Sequence, residues 1–353
     1  MKSKADIETN VSSKSTFLIF LSLFLVLIVL FILDIFLGSV NLKVGDVWNA
    51  LFSGGGGQIT ETIVLNFRLP KALTAVLVGM ALSVSGLQMQ TIFRNPMAGP
   101  DILGIASGAS LGVAFVVLGF SGSFSADFLR NFGSWLIAIA SWIGSGLLMM
   151  IILALSVRIK DIMTILILGI MLSSGISAIV ILMQYFSSES LLKTYVVWTM
   201  GSLGNLTGNQ LSTLSISVFI GIVLCFVSSK MLNALLLGEN YAKSVGLNVK
   251  SVRVMVFVCS SILVGSVTAF CGPIGFIGIA VPHLGRLLLR TSDHSKLIPG
   301  TILIGGAVML LSDIITRLPA SGQNLPLNAV TSILGIPIVI WVIVRNRKFS
   351  GFY

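Results

Sequence analysis

The chain has 353 residues, 55% of them hydrophobic and only 10% charged, with a mean hydropathy of +1.03. A soluble domain carries about 25% charged residues, so this composition excludes a soluble enzyme, a nucleic-acid-binding domain and a disordered chain. The net charge of +10 becomes a question of which side of a membrane the positive residues face.

In chain order, runs that are apolar and nearly free of charge occur at 17–37 (interrupted by Asp34), 72–93, 102–126, 131–157, 162–188, 194–229, 254–285, 297–312 and 318–344. A membrane helix needs about 20 such residues. Two of the nine runs are too long for one pass. The first part of 194–229 is polar and glycine-rich (Gly201, Gly204, Asn205, Gly208, Asn209), which predicts a short outer helix followed by a span near 210–229. The run 254–285 holds Gly272-Pro273 at its middle. Proline lacks a backbone donor and glycine is a flexible joint, so two short passes are expected, near 252–271 and 274–290. The segments between spans, about 30 residues at 38–67 and about 20 at 231–251, are too short for a soluble domain, and Gly54 to Gly57 read as a flexible turn.

Parity supports ten spans. Lys2, Lys4 and Lys14 precede the first span, and Arg345, Arg347 and Lys348 follow the last. Two basic flanks belong on the cytoplasmic side, which requires an even number of crossings. Ten crossings also place Arg94, Arg158, Lys160, Lys230, Lys243, Lys250, Arg253, Arg286, Arg290 and Lys296 inside, sixteen basic residues with the six at the termini. Lys43, Arg68, Lys71, Arg130, Lys193 and Arg317, the remaining six of the 22, fall outside. The expected fold class is all-α, a polytopic membrane protein with ten transmembrane helices forming one domain over 1–353. It has a cytoplasmic tail at 1–16, a cytoplasmic loop at 231–251 and a second cytoplasmic tail at 345–353, and it lies in the cytoplasmic (inner) membrane. Residues 17–37 are long enough to remain as a span rather than be cleaved.

The chain has no Walker A sequence, no His-Glu-x-x-His, no Cys-x-x-Cys and no serine–histidine–acid set. Cys225, Cys259 and Cys271 sit in apolar runs and read as small packing residues. His283 reads as a satisfied packing residue and His294, beside Asp293, as part of a solvated turn. No cofactor or metal is expected in this chain. Intramembrane acids mark ion-coupled carriers; Asp34 and Asp313 qualify, but both lie near an outer helix end, where interfacial snorkelling or pairing with a neighbour accounts for them. Gly104, Gly108 and Gly112, and then Gly272, Gly275 and Gly278, suggest smooth faces for close helix packing.

A many-span protein with no energy-coupling site of its own suggests a pore subunit driven by a partner. The 231–251 loop is helix-prone yet carries Leu235, Leu236, Leu237, Tyr241, Val245 and Leu247. Apolar residues in a cytoplasmic loop suggest either a partner's groove or a helix lying on lipid.

The sequence resembles the permease subunits of type II ABC importers for ferric siderophores, haem and cobalamin, the FecCD family. The motifs that carry the resemblance are Arg68-Leu-Pro-Lys71 with Gly79, Gln88, Asn95-Pro96, Pro100-Asp101, Leu103-Gly104 and Gly108-Ala109. They continue with Leu237-Gly-Glu239, Ala242 and Gly246, then Gly272-Pro-Ile-Gly-Phe-Ile-Gly278, Pro282-His283, Arg286 and Asp293-His294. Pro299-Gly300, Asp313, Arg317, Leu325-Pro326 and Gly335-Ile-Pro337 complete the set. The resemblance implies a cobalamin-importer-permease-like fold and a dimer, expected to be a homodimer, seated on two cytoplasmic ATPase subunits that bind the ATP. It implies a loaded binding protein on the outer face, lipid around the spans, and no nucleic acid. It assigns ATPase coupling to Leu237, Gly238, Glu239, Ala242 and Gly246, and binding-protein docking to Arg68, Lys71 and Arg317. Lys71 stands where the family often has arginine, which keeps the charge and loses the bidentate fork. The inner gate falls on Asp161, Ile162, Met163 and Thr164, where the residue types depart from the family. His283 and Arg286 take structural roles. The resemblance implies no covalent chemistry in this chain. Ferric siderophore is the first expected cargo, with haem and cobalamin next. A stand-alone secondary carrier and a membrane-embedded enzyme are the alternatives from other classes; the first needs intramembrane charge, the second a catalytic constellation.

Overall fold

A computed structural model describes residues 13–38, 40, 42–52, 57–119, 126–159, 161–204, 206–318 and 324–346. The expectations for the extreme termini, Lys160 and Gly54–Gly56 lie outside the described residues. Among those described, all regular structure is helical: α1 (Ser13–Phe36), α2 (Val44–Phe52), α3 (Gln58–Ile63), α4 (Leu69–Ile92), α5 (Ile105–Ala114), α6 (Ala126–Arg158) and α7 (Ile162–Tyr185). They are followed by α8 (Glu189–Thr199), α9 (Gly208–Leu236), α10 (Glu239–Ser244), α11 (Val249–Cys271), α12 (Ile277–Leu289), α13 (His294–Thr316) and α14 (Leu327–Asn346).

Among the described residues, seven helices are long and apolar enough to cross a membrane, and three shorter apolar ones, Ile105–Gly119, Ile277–Leu289 and Leu327–Val342, bring the set to ten. The boundaries differ from the hydropathy runs in instructive places. The second span begins near Gln58 rather than residue 72, because α3 continues through a π turn at Val64–Arg68 into α4. Arg68 and Lys71 are therefore helical residues, not loop residues. α9 runs on to Leu236, so the 231–251 loop contracts to α10 and its two flanking turns. The run 102–126 yields a helix of ten residues, α5, extended by a π turn over Phe115–Gly119. The 254–285 run does break at Gly272-Pro273.

α4 is the central helix, and α13, α12, α9 and α11 pack around it. Small residues let backbones touch: a Cβ on Gly79 would stand 2.1 Å from the carbonyl oxygen of Gly305, and one on Gly86 would stand 1.7 Å from that of Gly278. The Gly104–Gly108–Gly112 stripe is also a packing face, since Cβ atoms on Gly108 and Gly112 would meet the carbonyl oxygens of Gly144 and Ala140 on α6. The Gly272–Gly275–Gly278 series is not one face: Gly272 ends α11, Gly275 borders open space, and only Gly278 lies in a helix. α1 is peripheral, with most of its side chains directed away from the protein.

The break between α11 and α12 leaves backbone groups without helical partners, and inside a membrane these must be satisfied by protein. Asn328, at the start of α14, supplies the partners. Its Nδ2 donates to the carbonyl oxygens of Pro273 at 2.6 Å and Thr199 at 2.9 Å, and its Oδ1 accepts from the Gly275 amide at 3.1 Å. One side chain thus ties α8, the break and α14 together.

Candidate functional site

At one end of the bundle lies the α10 unit. The chain leaves α9 through Leu237 and Gly238, turns once as α10, and re-enters at α11 through Gly246. Gly238 and Gly246 have φ of +115° and +84°, a region open to glycine at little cost, so the two turns need these two residues. Ala242 is fully buried, its amide bonding the Gly238 carbonyl at 2.9 Å while its own carbonyl accepts from Leu247 at 2.9 Å. A larger residue there would lift α10 off the bundle. The Glu239 carboxylate pairs with the buried Arg253 guanidinium of α11 at 2.5 Å and more loosely with Lys243 at 3.9 Å. The five residues expected at the coupling site therefore form one rigid turn–helix–turn. Leu237, Tyr241 and Val245, spaced by four, project from it and are 67%, 47% and 53% exposed. Leu235, expected among the exposed apolar residues, is buried.

Beside this unit, Lys250 Nζ of α11 donates to the Val157 carbonyl at the end of α6, at 3.4 Å. A few residues beyond α6, Asp161 caps α7: its carboxylate accepts from the Thr164 hydroxyl at 2.7 Å and from the amides of Thr164 and Met163 at 2.9 and 3.2 Å. The Thr164 hydroxyl, followed by the two amides, holds the Asp161 carboxyl below the usual carboxylate range. The expected gate residues Asp161 to Thr164 are thus the first turn of α7 and its cap.

His294 is not in a solvated turn. It is buried at the start of α13, with Nδ1 2.8 Å from Asn233 Oδ1 and Nε2 2.8 Å from the Thr91 hydroxyl. Asn233 also donates to Asp293 at 2.6 Å, so α9, α4 and α13 are joined next to α10. His283 donates from Nε2 to the Pro96 carbonyl at 2.8 Å, and Arg286 donates to Gln90 at 2.6 Å. Among the described residues no group of histidine, cysteine and acid side chains has the arrangement of a metal site.

At the opposite end, Arg68, Lys71 and Arg317 come together from α3–α4 and α13, but they are turned inward. Arg68 is 6% exposed and donates to the carbonyls of Ile35, Phe36 and Val40 at 2.9, 2.9 and 2.5 Å, capping the end of α1. Arg317 donates to the carbonyls of Asp34 and Leu37 at 2.9 and 2.6 Å and pairs with the carboxylates of Asp34, at 3.0 Å, and Asp313. Lys71 pairs with Asp313 at 2.8 Å and keeps 19% side-chain exposure. Asp34 and Asp313, expected either to snorkel or to pair with a neighbour, are nearly inaccessible and are paired within this cluster. Three cations against two carboxylates leave one net positive charge, and Lys71 carries the most accessible part of it.

Residues 26–345 match the model of the FecCD transport family. The chain is 35% identical over 313 residues to the hemin transport system permease protein of Yersinia pestis, covering 88% of this chain and 91% of that one. It is 34% identical over 312 residues to the vitamin B12 import system permease protein of Citrobacter koseri, with the same coverage. In structure it resembles a metal-chelate type ABC transporter in an inward-facing conformation, with a TM-score of 0.81, 28% identity, and coverage of 93% of this chain and 99% of that one.

Proposed function

The chain belongs to the FecCD transport family, and on that premise we propose that it is the membrane-spanning permease of an ATP-driven importer. It works as a dimer on two cytoplasmic ATPase subunits and receives cargo from a binding protein on the opposite face. It hydrolyses nothing itself. The observation that carries this reading is the α10 unit: Leu237, Tyr241 and Val245 expose an apolar ridge along a short helix and its two flanking turns, rooted by Ala242 and the Glu239–Arg253 pair. Apolar side chains presented this way fit a groove on a partner. The excess of basic residues near this end supports a cytoplasmic side for it.

Movement of an ATPase against the ridge reaches α11 through Glu239–Arg253. It passes to the end of α6 through Lys250, and so to the first turn of α7 at Asp161–Thr164, which acts as the inner gate. At the outer end the binding protein's carboxylates meet the net positive cluster, with Lys71 the accessible member and Arg68 and Arg317 holding its frame. Docking by charge weakens as salt rises.

The cargo is an iron chelate, with a ferric siderophore first. A metal-chelate transporter among the structural relatives supports this, while the hemin and vitamin B12 relatives make those the alternatives within the same machinery. The test replaces Tyr241 and Val245 by Asp. Folding and membrane insertion should persist, because both side chains point outward, while co-purification of the ATPase and ATP-driven uptake should fall at least tenfold. Unchanged assembly and uptake would refute the coupling assignment.

A further inference from the structure

The turn Pro100–Leu103, between α4 and α5, does not lie at a membrane face. It is pressed against the middle of α7: a Cβ on Gly104 would stand 2.6 Å from Ser173 Oγ, and one on Gly169 would stand 2.5 Å from the Ile102 carbonyl oxygen. α7 has 24 residues, of which Ser173 and Ser174 are the twelfth and thirteenth. At 1.5 Å per residue both lie about 17 Å from either end of a span of about 36 Å. Asp101 therefore sits at mid-depth. It opens onto a broad, open groove of about 510 Å³ lined also by Ile170, Ser173, Ser174, Ser177 and Ile181.

Asp101 is exposed to this groove, and among the described residues no ion pair or hydrogen bond reaches its carboxylate. A lone carboxylate at the bilayer centre is not tolerated against hydrocarbon; such groups face water-filled cavities or the protein interior. The serines reinforce the point. Ser173, Ser174 and Ser177 each donate to the carbonyl four residues earlier, at 2.8, 2.9 and 2.9 Å. A hydroxyl has one proton and two lone pairs, so once the proton is committed to the backbone only acceptors face the groove. The wall is mostly apolar; its polar part is one carboxylate and the hydroxyl lone pairs, and no cation stands among the described residues that line it.

We propose that this groove is a stretch of the cargo path, and that Asp101 makes it select cargo whose surface is cationic or rich in hydrogen-bond donors and reject polyanions. The inference rests on the permease reading above and deepens it. It favours chelates with ammonium, hydroxyl or amide N–H groups over haem, whose two carboxylates would face an acidic wall.

The test separates the permease from its binding protein's own selectivity. In the permease–ATPase complex in proteoliposomes, Ser177→Cys is treated with two thiosulfonate reagents of similar size, one a quaternary ammonium and one a sulfonate. The three native cysteines are buried and supply little background. Relative to their rates with a free thiol, the cationic reagent should react about tenfold faster than the anionic one, and adding Asp101→Asn should bring the ratio to within about twofold. An introduced thiol that neither reagent modifies would place the groove against lipid or packed protein, and a ratio unchanged by Asp101→Asn would remove the carboxylate's role; either result overturns the proposal. A complex that fails to form speaks instead against the permease reading, and is seen at the purification step before any labelling.

Discussion

Arg317→Met perturbs the Arg68–Lys71–Arg317 cluster at its most connected point. The wild-type guanidinium, 8% exposed, pairs with two buried carboxylates and donates to two carbonyls at the end of α1. Removing one partner of a buried ion pair costs about 3–5 kcal/mol, because the other charge remains buried. Asp313 keeps Lys71 at 2.8 Å, so the loss falls mainly on Asp34, and a total of about 4 kcal/mol is expected. At roughly 2 °C per kcal/mol for a chain of this size, the apparent Tm should drop by about 8 °C. Thermal unfolding in detergent can be followed with a thiol-reactive dye, since Cys225, Cys259 and Cys271 are all buried in the folded protein. The double variant Asp34→Leu, Arg317→Met should recover at least half of the loss, because apolar replacement of a whole buried pair is close to neutral. A single variant within about 2 °C of wild type, or a double variant worse than the single, would refute the view of Arg317 as a buried staple. Charge reversal at Arg68 or Arg317 consequently damages the fold as well as any docking, whereas Lys71→Gln, which leaves Arg317 on Asp313, tests docking with less structural cost.

Further substitutions probe the helix packing and the first turn of α7. Asn328→Leu removes three hydrogen bonds at the α11–α12 break and should lower stability by about 2–4 kcal/mol, read by the same dye assay. Gly79→Leu puts a side chain where a Cβ alone would stand 2.1 Å from the Gly305 carbonyl oxygen; α4 and α13 must separate, and the yield of monodisperse protein should fall severalfold, while Gly175→Ala, which faces open space, should be silent. The Asp161 cap makes a pH prediction. Its folded-state pKa lies below the ordinary value of about 3.9, so its capping contribution is fully present above that pH and is lost as pH falls through the lower folded value. Hydrogen exchange at the Met163 and Thr164 amides, corrected for intrinsic rates, should lose protection only in that acid range, and Asp161→Ala should show the low-pH behaviour at all pH values.

Features encoded locally are legible in the sequence. Gly272-Pro273 announces the α11–α12 break because proline removes a donor wherever it stands, and the leucines around Gly238 announce α10 because apolar residues do not persist in a solvated loop without a partner. What is not legible depends on partners far along the chain. Asn328 looks like a polar residue preceding a span, yet its partners are 129 and 55 residues away. Charge counting assigns Arg68 and Arg317 to one side of the membrane but does not say that their side chains turn inward to the end of α1. The polar neighbours of His294 suggest solvation, although Asn233 and Thr91 enclose it. Asp101 stands out in the sequence as part of a motif and not as an intramembrane acid. Hydropathy marks where an apolar run begins, not how deep the preceding turn reaches.

The pairing of Asp34 with Arg317 joins residues 283 positions apart, and this fixes an order of events during biogenesis. At about 10 residues per second, α1 enters the bilayer roughly half a minute before the ribosome has made its guanidinium partner. Throughout that interval α1 is a nearly free-standing lipid-facing helix, held at its end first by Arg68 and only later by Arg317. Docking of α1 onto α13 is therefore among the last steps of assembly. A chain interrupted before residue 317 leaves Asp34 in α1 without its guanidinium partner.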